Sequence, residues 1–304
     1  MSATAFVFPG QNSHFVGMGR DLWDSGGAAR ALLERADQVL GFSLSALMFE
    51  GPEEDLIATQ NQQPAILTHS AACLAVLQQR GLQPQMVAGH SLGEYSALIA
   101  GGCLGFEDAL RVVRRRGELM AAAGGGAMAA VIGLDATVVE EACRRAEEVG
   151  FVGVANYNCP GQVVVTGQPE AVREASRLLQ EAGAKRVLPL RVSGAFHSPL
   201  MASAAERLRP VLEAAPFRDA RVPLVGNVDA RPRTSGDEIR AALAEQITSP
   251  VLWELSVRRM AEAGIDTFIE VGPGKVVSGL IRRIAGEARA EPAGTVEAIQ
   301  ALTL

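Results

Sequence analysis

The sequence predicts an α/β protein, a parallel-sheet domain that carries an inserted ferredoxin-like subdomain. Three observations predict it. Short apolar strands alternate with apolar helices, the pattern of a parallel sheet covered on both faces. Between Ala127 and about Leu190 the order becomes strand, helix, strand, strand, helix, strand, which is the βαββαβ arrangement of a ferredoxin-like unit. At 304 residues the chain has room for a large domain and a small one.

The elements follow in order. Thr4 to Phe8 is an apolar strand stopped by Pro9-Gly10. Residues 62–80, QQPAILTHSAACLAVLQQR, form a buried helix that begins at a proline and ends at Gly81. Met86 to Gly89 is a second short strand, and Leu92 to Ala100 an apolar helix closed by Gly101-Gly102. Gly124-Gly125-Gly126 makes an entry hinge to the inserted unit. There AMAAVIGL is a strand, 136–149 a helix, and FVGVANYN and QVVVTG two strands joined at Pro160-Gly161. A helix over 169–182 and the strand KRVLPL complete it. The larger domain then resumes, with TFIEVG (267–272) as a late strand. The expected boundaries are 1–125 with 192–304 for the large domain and 126–191 for the small one.

Composition narrows the function. Hydrophobic residues make up 48% and charged residues 20%, ordinary for a soluble globular protein. MSATAFVFPGQ has no basic n-region, and no run approaches the ~20 apolar residues that span a bilayer. Cys73, Cys103, Cys143 and Cys159 are scattered without CxxC spacing, which argues against zinc or a disulfide framework and for a reducing cytoplasm. A net charge of −6 argues against nucleic acid as a partner. No strand is followed by G-x-G-x-x-G, so a dinucleotide cofactor has no support, and EVGPGK (270–275) lacks phosphate-loop spacing and reads as a glycine-proline turn after a strand. A monomer is the default.

The chemistry centres on GHSLGEYSAL, residues 89–98. Ser91-x-x-Glu94 spells a helix capping box, whereas Gly89-x-Ser91-x-Gly93 between a strand and a helix spells a nucleophile on a sharp turn. A cap needs the serine but neither glycine; both readings stay open. Four histidines are available as a base. His69 falls inside the apolar helix and reads as a core residue. His90 adjoins the serine, where neighbouring side chains on a sharp turn point apart. His197, past KRVLPL and before the helix start Ser198-Pro199, sits where open sheets place functional groups, or else on a surface loop. Helical phase over EDALRVVRRRGELM places Arg114 and Arg115 off the apolar face and Arg116 on it. An inward arginine requires an internal carboxylate or an anionic ligand.

With Ser91, Arg116 and His197 in view, the sequence resembles the malonyl-CoA:acyl carrier protein transacylase family. The motifs run nearly end to end: FVFPGQ at 6–11, TQNQQPAILT at 59–68, GHSLGEYSAL at 89–98, PGQVVVTG at 160–167, AFHSPLM at 195–201, EQITSPVLW at 245–253 and EVGPGKV at 270–276. The resemblance implies a hydrolase-like large domain, with Ser91 as nucleophile and His197 as general base and acid. Arg116 matches the arginine that grips the malonyl carboxylate. The backbone N–H groups of Gln11 and Leu92 match the oxyanion hole, and Gln246 a glutamine lining the site. His90 is added as a substrate-binding residue. Phe196 before His197, and Leu92 after Ser91, match the malonyl-selective form. Implied partners are malonyl-CoA and a transient acyl carrier protein, for which Lys185-Arg186 and Arg282-Arg283 are candidate docking residues, and the implied chemistry needs no metal or redox cofactor. The chain departs from PGQGSQ with Asn12 and His14; asparagine tolerates the left-handed turn, and His14 is expected on an exposed loop. Two rival readings remain: a serine hydrolase, marked by release of free malonate, and a carrier-protein scaffold without catalysis.

Overall fold

Ten strands in two sheets organise the molecule, a computed structural model that describes residues 3–303. They are β1 (Thr4–Phe8), β2 (Met86–Gly89), β3 (Ala127–Ile132), β4 (Val152–Cys159), β5 (Gln162–Gly167), β6 (Arg186–Pro189), β7 (Leu224–Val225), β8 (Pro232–Arg233), β9 (Thr267–Glu270) and β10 (Arg289–Pro292). The large sheet has the order β10-β9-β1-β2-β7-β8 and is parallel except for β8.

Every residue of β1 is buried, as a central parallel strand must be. Its side chains alternate between two cores. Phe6 and Phe8 pack with Ile66, Leu98 and Leu110 on one face, and Ala5 and Val7 with Trp253, Phe268 and Ile281 on the other. The register pairs Phe8 with Gly89 and Ala88 with Val225. The segments leaving β1, β2 and β7 therefore emerge side by side at one edge, carrying Gln11, Ser91 and Asn227.

The small sheet, in the order β4-β5-β3-β6, is antiparallel throughout. Val131, Val163 and Val165 pack against the helices Ala136–Ala146 and Pro169–Glu181. Met128 and Val164, on the opposite face, join the large core. Two ties fix this sheet to the larger body. Val251 exchanges backbone hydrogen bonds with Ala155 and Tyr157 at 2.8 and 2.9 Å. Arg283 donates to Gln162 Oε1 at 2.8 Å and to the Pro160 carbonyl at 2.7 Å.

Several expectations change in detail. The helix expected to begin at the proline spans Thr59–Gln79, with Pro64 inside it. Proline cannot donate to the Gln60 carbonyl four residues back, and Arg114 Nη1 donates there instead, at 2.8 Å. Arg283, though exposed, is held by Gln162 and Pro160 of the small sheet, and Arg282, also exposed, donates to the Ala290 carbonyl. The EVGPGK turn is structural: the Glu270 carboxylate accepts from the Val277 and Ser278 amides at 3.0 and 2.7 Å, closing the start of the helix Val276–Ile284. Among the described residues no helix is long and apolar enough to cross a membrane.

Candidate active site

Ser91 stands on the turn between β2 and the helix Gly93–Gly101, with a positive φ of 52°. Both flanking glycines are sterically required. A Cβ on Gly89 would lie 1.9 Å from the Gly93 carbonyl carbon, and one on Gly93 would lie 2.2 Å from the Phe8 carbonyl oxygen. The capping box does not form. Ser91 Oγ caps nothing; it lies 2.7 Å from His197 Nε2 and accepts from Arg116 Nη2 at 3.2 Å. Asn227 braces the turn, accepting from the Ser91 amide and donating to the Gly89 carbonyl, both at 2.7 Å.

His197 is buried and its Nδ1 lies 3.0 Å from the Gln246 carbonyl and 3.2 Å from that of Ser249. Carbonyls only accept, so Nδ1 carries the proton and Nε2 is left to accept from the Ser91 hydroxyl. Burial, reinforced by the Arg116 cation, lowers the imidazole to about 3. It is neutral at ordinary pH and ready to receive a proton. Asn12, Ser91 and His197 are three of the four non-glycine residues with positive φ among those described. Such strain gathers where a side chain must be aimed.

Arg116 has no exposed surface. Nη1 donates to Gln63 Oε1 at 2.8 Å, Nη2 to Gln246 Oε1 at 2.9 Å, and the guanidinium lies 5.4 Å from the centre of the Tyr95 ring. Burial lowers its pKa, while the Tyr95 and Glu94 charges oppose that shift. Gln246 Nε2 in turn donates to the Ser91 carbonyl at 2.9 Å and to Glu94 Oε2 at 2.8 Å. Burial raises the Glu94 carboxyl to about 7 against those hydrogen bonds and the Arg116 and Arg233 cations.

Above Ser91 and His197 lies a cleft of about 240 Å³ between the two sheets. Gln11 and His90 line it from the large sheet, Met128, Asn158 and Val164 from the small one, and Phe196 from the crossover. The backbone amides of Gln11 and Leu92 find no acceptor among the described residues.

A serine, a neutral histidine and a buried cation converging under a cleft suit acyl transfer, and the comparisons agree. Residues 5–297 match the acyl transferase domain family. The malonyl CoA-acyl carrier protein transacylase of Bacillus subtilis (strain 168) is 49% identical over 288 residues, covering 93% of this chain and 91% of that one. The chain belongs to the malonyl-CoA:acyl carrier protein transacylase family. The enzyme of the same name from Staphylococcus aureus (strain MSSA476) is 43% identical, over 99% of this chain and 98% of its own. An acyl carrier protein S-malonyltransferase from Vibrio cholerae superposes with a TM-score of 0.96 at 43% identity, over 99% of this chain and 100% of its own. A malonyl-transacylase solved in complex with its type II PKS acyl-carrier protein gives 0.96 at 42% identity, over 98% of both chains.

Within this transacylase fold Ser91, His197, Arg116 and Gln246 come together at hydrogen-bonding distance. His90 faces the same cleft, but its Nε2 pairs with Asn158 Oδ1 at 2.8 Å, so it points away from the serine. Burial lowers its pKa. Two expectations need correction. His197 does not stand at the edge of a parallel strand: β6 belongs to the small antiparallel sheet and ends at Pro189, and the following crossover carries the histidine. His14 is half-buried rather than exposed, and its Nδ1 is enclosed. Gln63, Asn158 and Asn227 went unnoticed in the sequence, where Glu94 reads only as part of a capping box rather than as the partner of Gln246 and Asn227. For Asn227 the one available signal is its place, two residues beyond a short apolar strand.

Proposed function

We propose that this chain transfers a malonyl group from malonyl-CoA to the phosphopantetheine thiol of an acyl carrier protein through a malonyl ester on Ser91. The observation that carries this reading is a single oxygen, Ser91 Oγ, held 2.7 Å from a neutral imidazole and 3.2 Å from a buried guanidinium. Ser91 Oγ attacks the thioester carbonyl and its proton passes to His197 Nε2. The resulting imidazolium is steadied by the two carbonyls at Nδ1. The oxyanion takes the free amides of Gln11 and Leu92. Collapse expels the coenzyme A sulfur, which takes the proton from His197. In the second half the carrier thiol gives His197 its proton and attacks the ester carbonyl, and Ser91 leaves reprotonated.

Arg116 holds the malonyl carboxylate as a bidentate clamp and disfavours a neutral acetyl group, whose loading would leave the cation unpaired. Phe196 and His90 shape the acyl and pantetheine sides of the cleft. One copy of the chain supplies every group, so we assign the monomer as the working unit and no cofactor. The strand order β4-β5-β3-β6 supports a ferredoxin-like unit at 126–191, inserted in a hydrolase-like domain of 1–125 and 192–304.

Following malonyl-carrier protein and free malonate together tests the reading. With holo carrier protein present, the malonyl thioester is the expected product and malonate a minor one. Malonate released at one rate with or without the carrier would make the protein a hydrolase.

A further inference from the structure

Glu94 lies 1% exposed behind the catalytic turn and has no assigned task. It does not pair directly with Arg116. Between them stands Gln246, whose Nε2 donates to Glu94 Oε2 at 2.8 Å and whose Oε1 accepts from Arg116 Nη2 at 2.9 Å. The same Glu94 oxygen accepts from the Asn227 backbone amide at 3.3 Å, which anchors the carboxylate. A carboxylate can only accept and a guanidinium can only donate. Reversing the Gln246 amide would set oxygen against oxygen and N–H against N–H, so Glu94, together with the Ser91 carbonyl that accepts from the same Nε2 at 2.9 Å, leaves it one orientation. The guanidinium meanwhile hydrogen-bonds neutral oxygens alone, from Gln63, Gln246 and Ser91.

We infer that Glu94 is a positioning residue for acyl-group selection. With the Ser91 carbonyl it fixes the Gln246 amide so that Oε1 faces Arg116, and it keeps its own carboxylate one amide away, leaving the guanidinium open to the carboxylate of an incoming acyl group. The inference rests on the malonyl-transfer reading and adds to it a countercharge relayed through a neutral side chain. A carboxylate in direct contact with Arg116 would compete with the substrate for the same two N–H groups.

The test compares Ser91 loading from malonyl-CoA and acetyl-CoA in the full chain, with kcat and KM separated and folding checked by thermal melting. Glu94→Met keeps the volume and removes the acceptor. It is expected to lower the malonyl-to-acetyl ratio about tenfold, the scale of one hydrogen bond to a charged group, chiefly through KM for malonyl-CoA. Glu94→Gln can still accept from Gln246 through its own Oε1 and is expected to recover most of that ratio. The exchange E94Q/Q246E keeps size and charge but places the carboxylate against Arg116, and the ratio is expected to fall again. Glu94→Gln no better than Glu94→Met, or an exchange variant with the unaltered ratio, overturns the inference. If Glu94→Met does not fold, the other two decide it. Unaltered protein that forms no malonyl ester refutes the functional reading itself; a loading enzyme whose ratio ignores all three changes refutes only the role of Glu94.

Discussion

At Arg116 the physical question is what a guanidinium with no exposed surface uses as a counter-ion. Burying it unpaired costs several kcal/mol, and its hydrogen-bond partners Gln63, Gln246 and Ser91 are all neutral. In the proposed reaction a substrate carboxylate completes the site. Arg116→Ala is therefore expected to lower kcat/KM for malonyl-CoA roughly a hundredfold, the value of charge-assisted hydrogen bonds, and to leave acetyl-CoA nearly unchanged. Equal losses for both substrates would assign Arg116 a structural role. The position was legible because 100° phasing put it on the apolar face of its helix. Ser91 and His197 were legible from local pattern. Gln63 and Asn227 were not: they lie 53 and 136 residues from Arg116 and Ser91, the groups they hold. Only the parallel register and the packing of two helices bring them near.

The turn that carries Ser91 makes the strongest demand on a single element. Helix and strand approach so closely there that neither glycine can gain a methyl group. Gly93→Ala is expected to destabilise the protein by about 1–3 kcal/mol, the range for overpacking, and to slow Ser91 loading. Urea unfolding alongside the loading rate checks both, and unchanged values would mean the turn can open without cost. Strands β1 and β2 could be read from the short, mostly apolar runs TAFVF and MVAG, each ended by a glycine turn. The two-residue strands β7 and β8 carry no periodicity, and β10 includes Arg289 and Glu291, so the sheet order was not legible. The start of the long helix was misplaced because Pro64 looked like a first residue. Arg114 satisfies the carbonyl that Pro64 leaves without a donor, which lets the helix run one turn earlier.

Across the whole molecule, buried titratable groups set how stability responds to pH. Burial lowers His69 to about 4 and His197 to about 3. As pH falls below the ordinary histidine value, the unfolded chain gains protons that the folded chain refuses, so stability declines. Each histidine contributes about 1 kcal/mol per pH unit. Glu94 acts in the opposite sense. Its carboxyl, raised to about 7, gives stability that is complete below the unfolded value and lost as pH rises through 7. Four histidines held below their ordinary value, His69 and His197 with His14 and His90, outweigh the two carboxyls held above theirs, Glu94 and Glu270, and urea midpoints are expected to fall from pH 6 to pH 5. A midpoint that rises over that interval would mean the histidines are charged in the fold, which would deny His197 its place as a base.

The proposed transfer is covalent, with Ser91 carrying the acyl group between two thiols. Intact-protein mass spectrometry after brief exposure to malonyl-CoA tests it most directly, with Ser91→Ala treated alongside. A single malonyl adduct is expected on the unaltered protein, none on the variant, with discharge of the adduct by holo carrier protein. An adduct on both proteins, or carrier protein malonylated at an undiminished rate by Ser91→Ala, would contradict it.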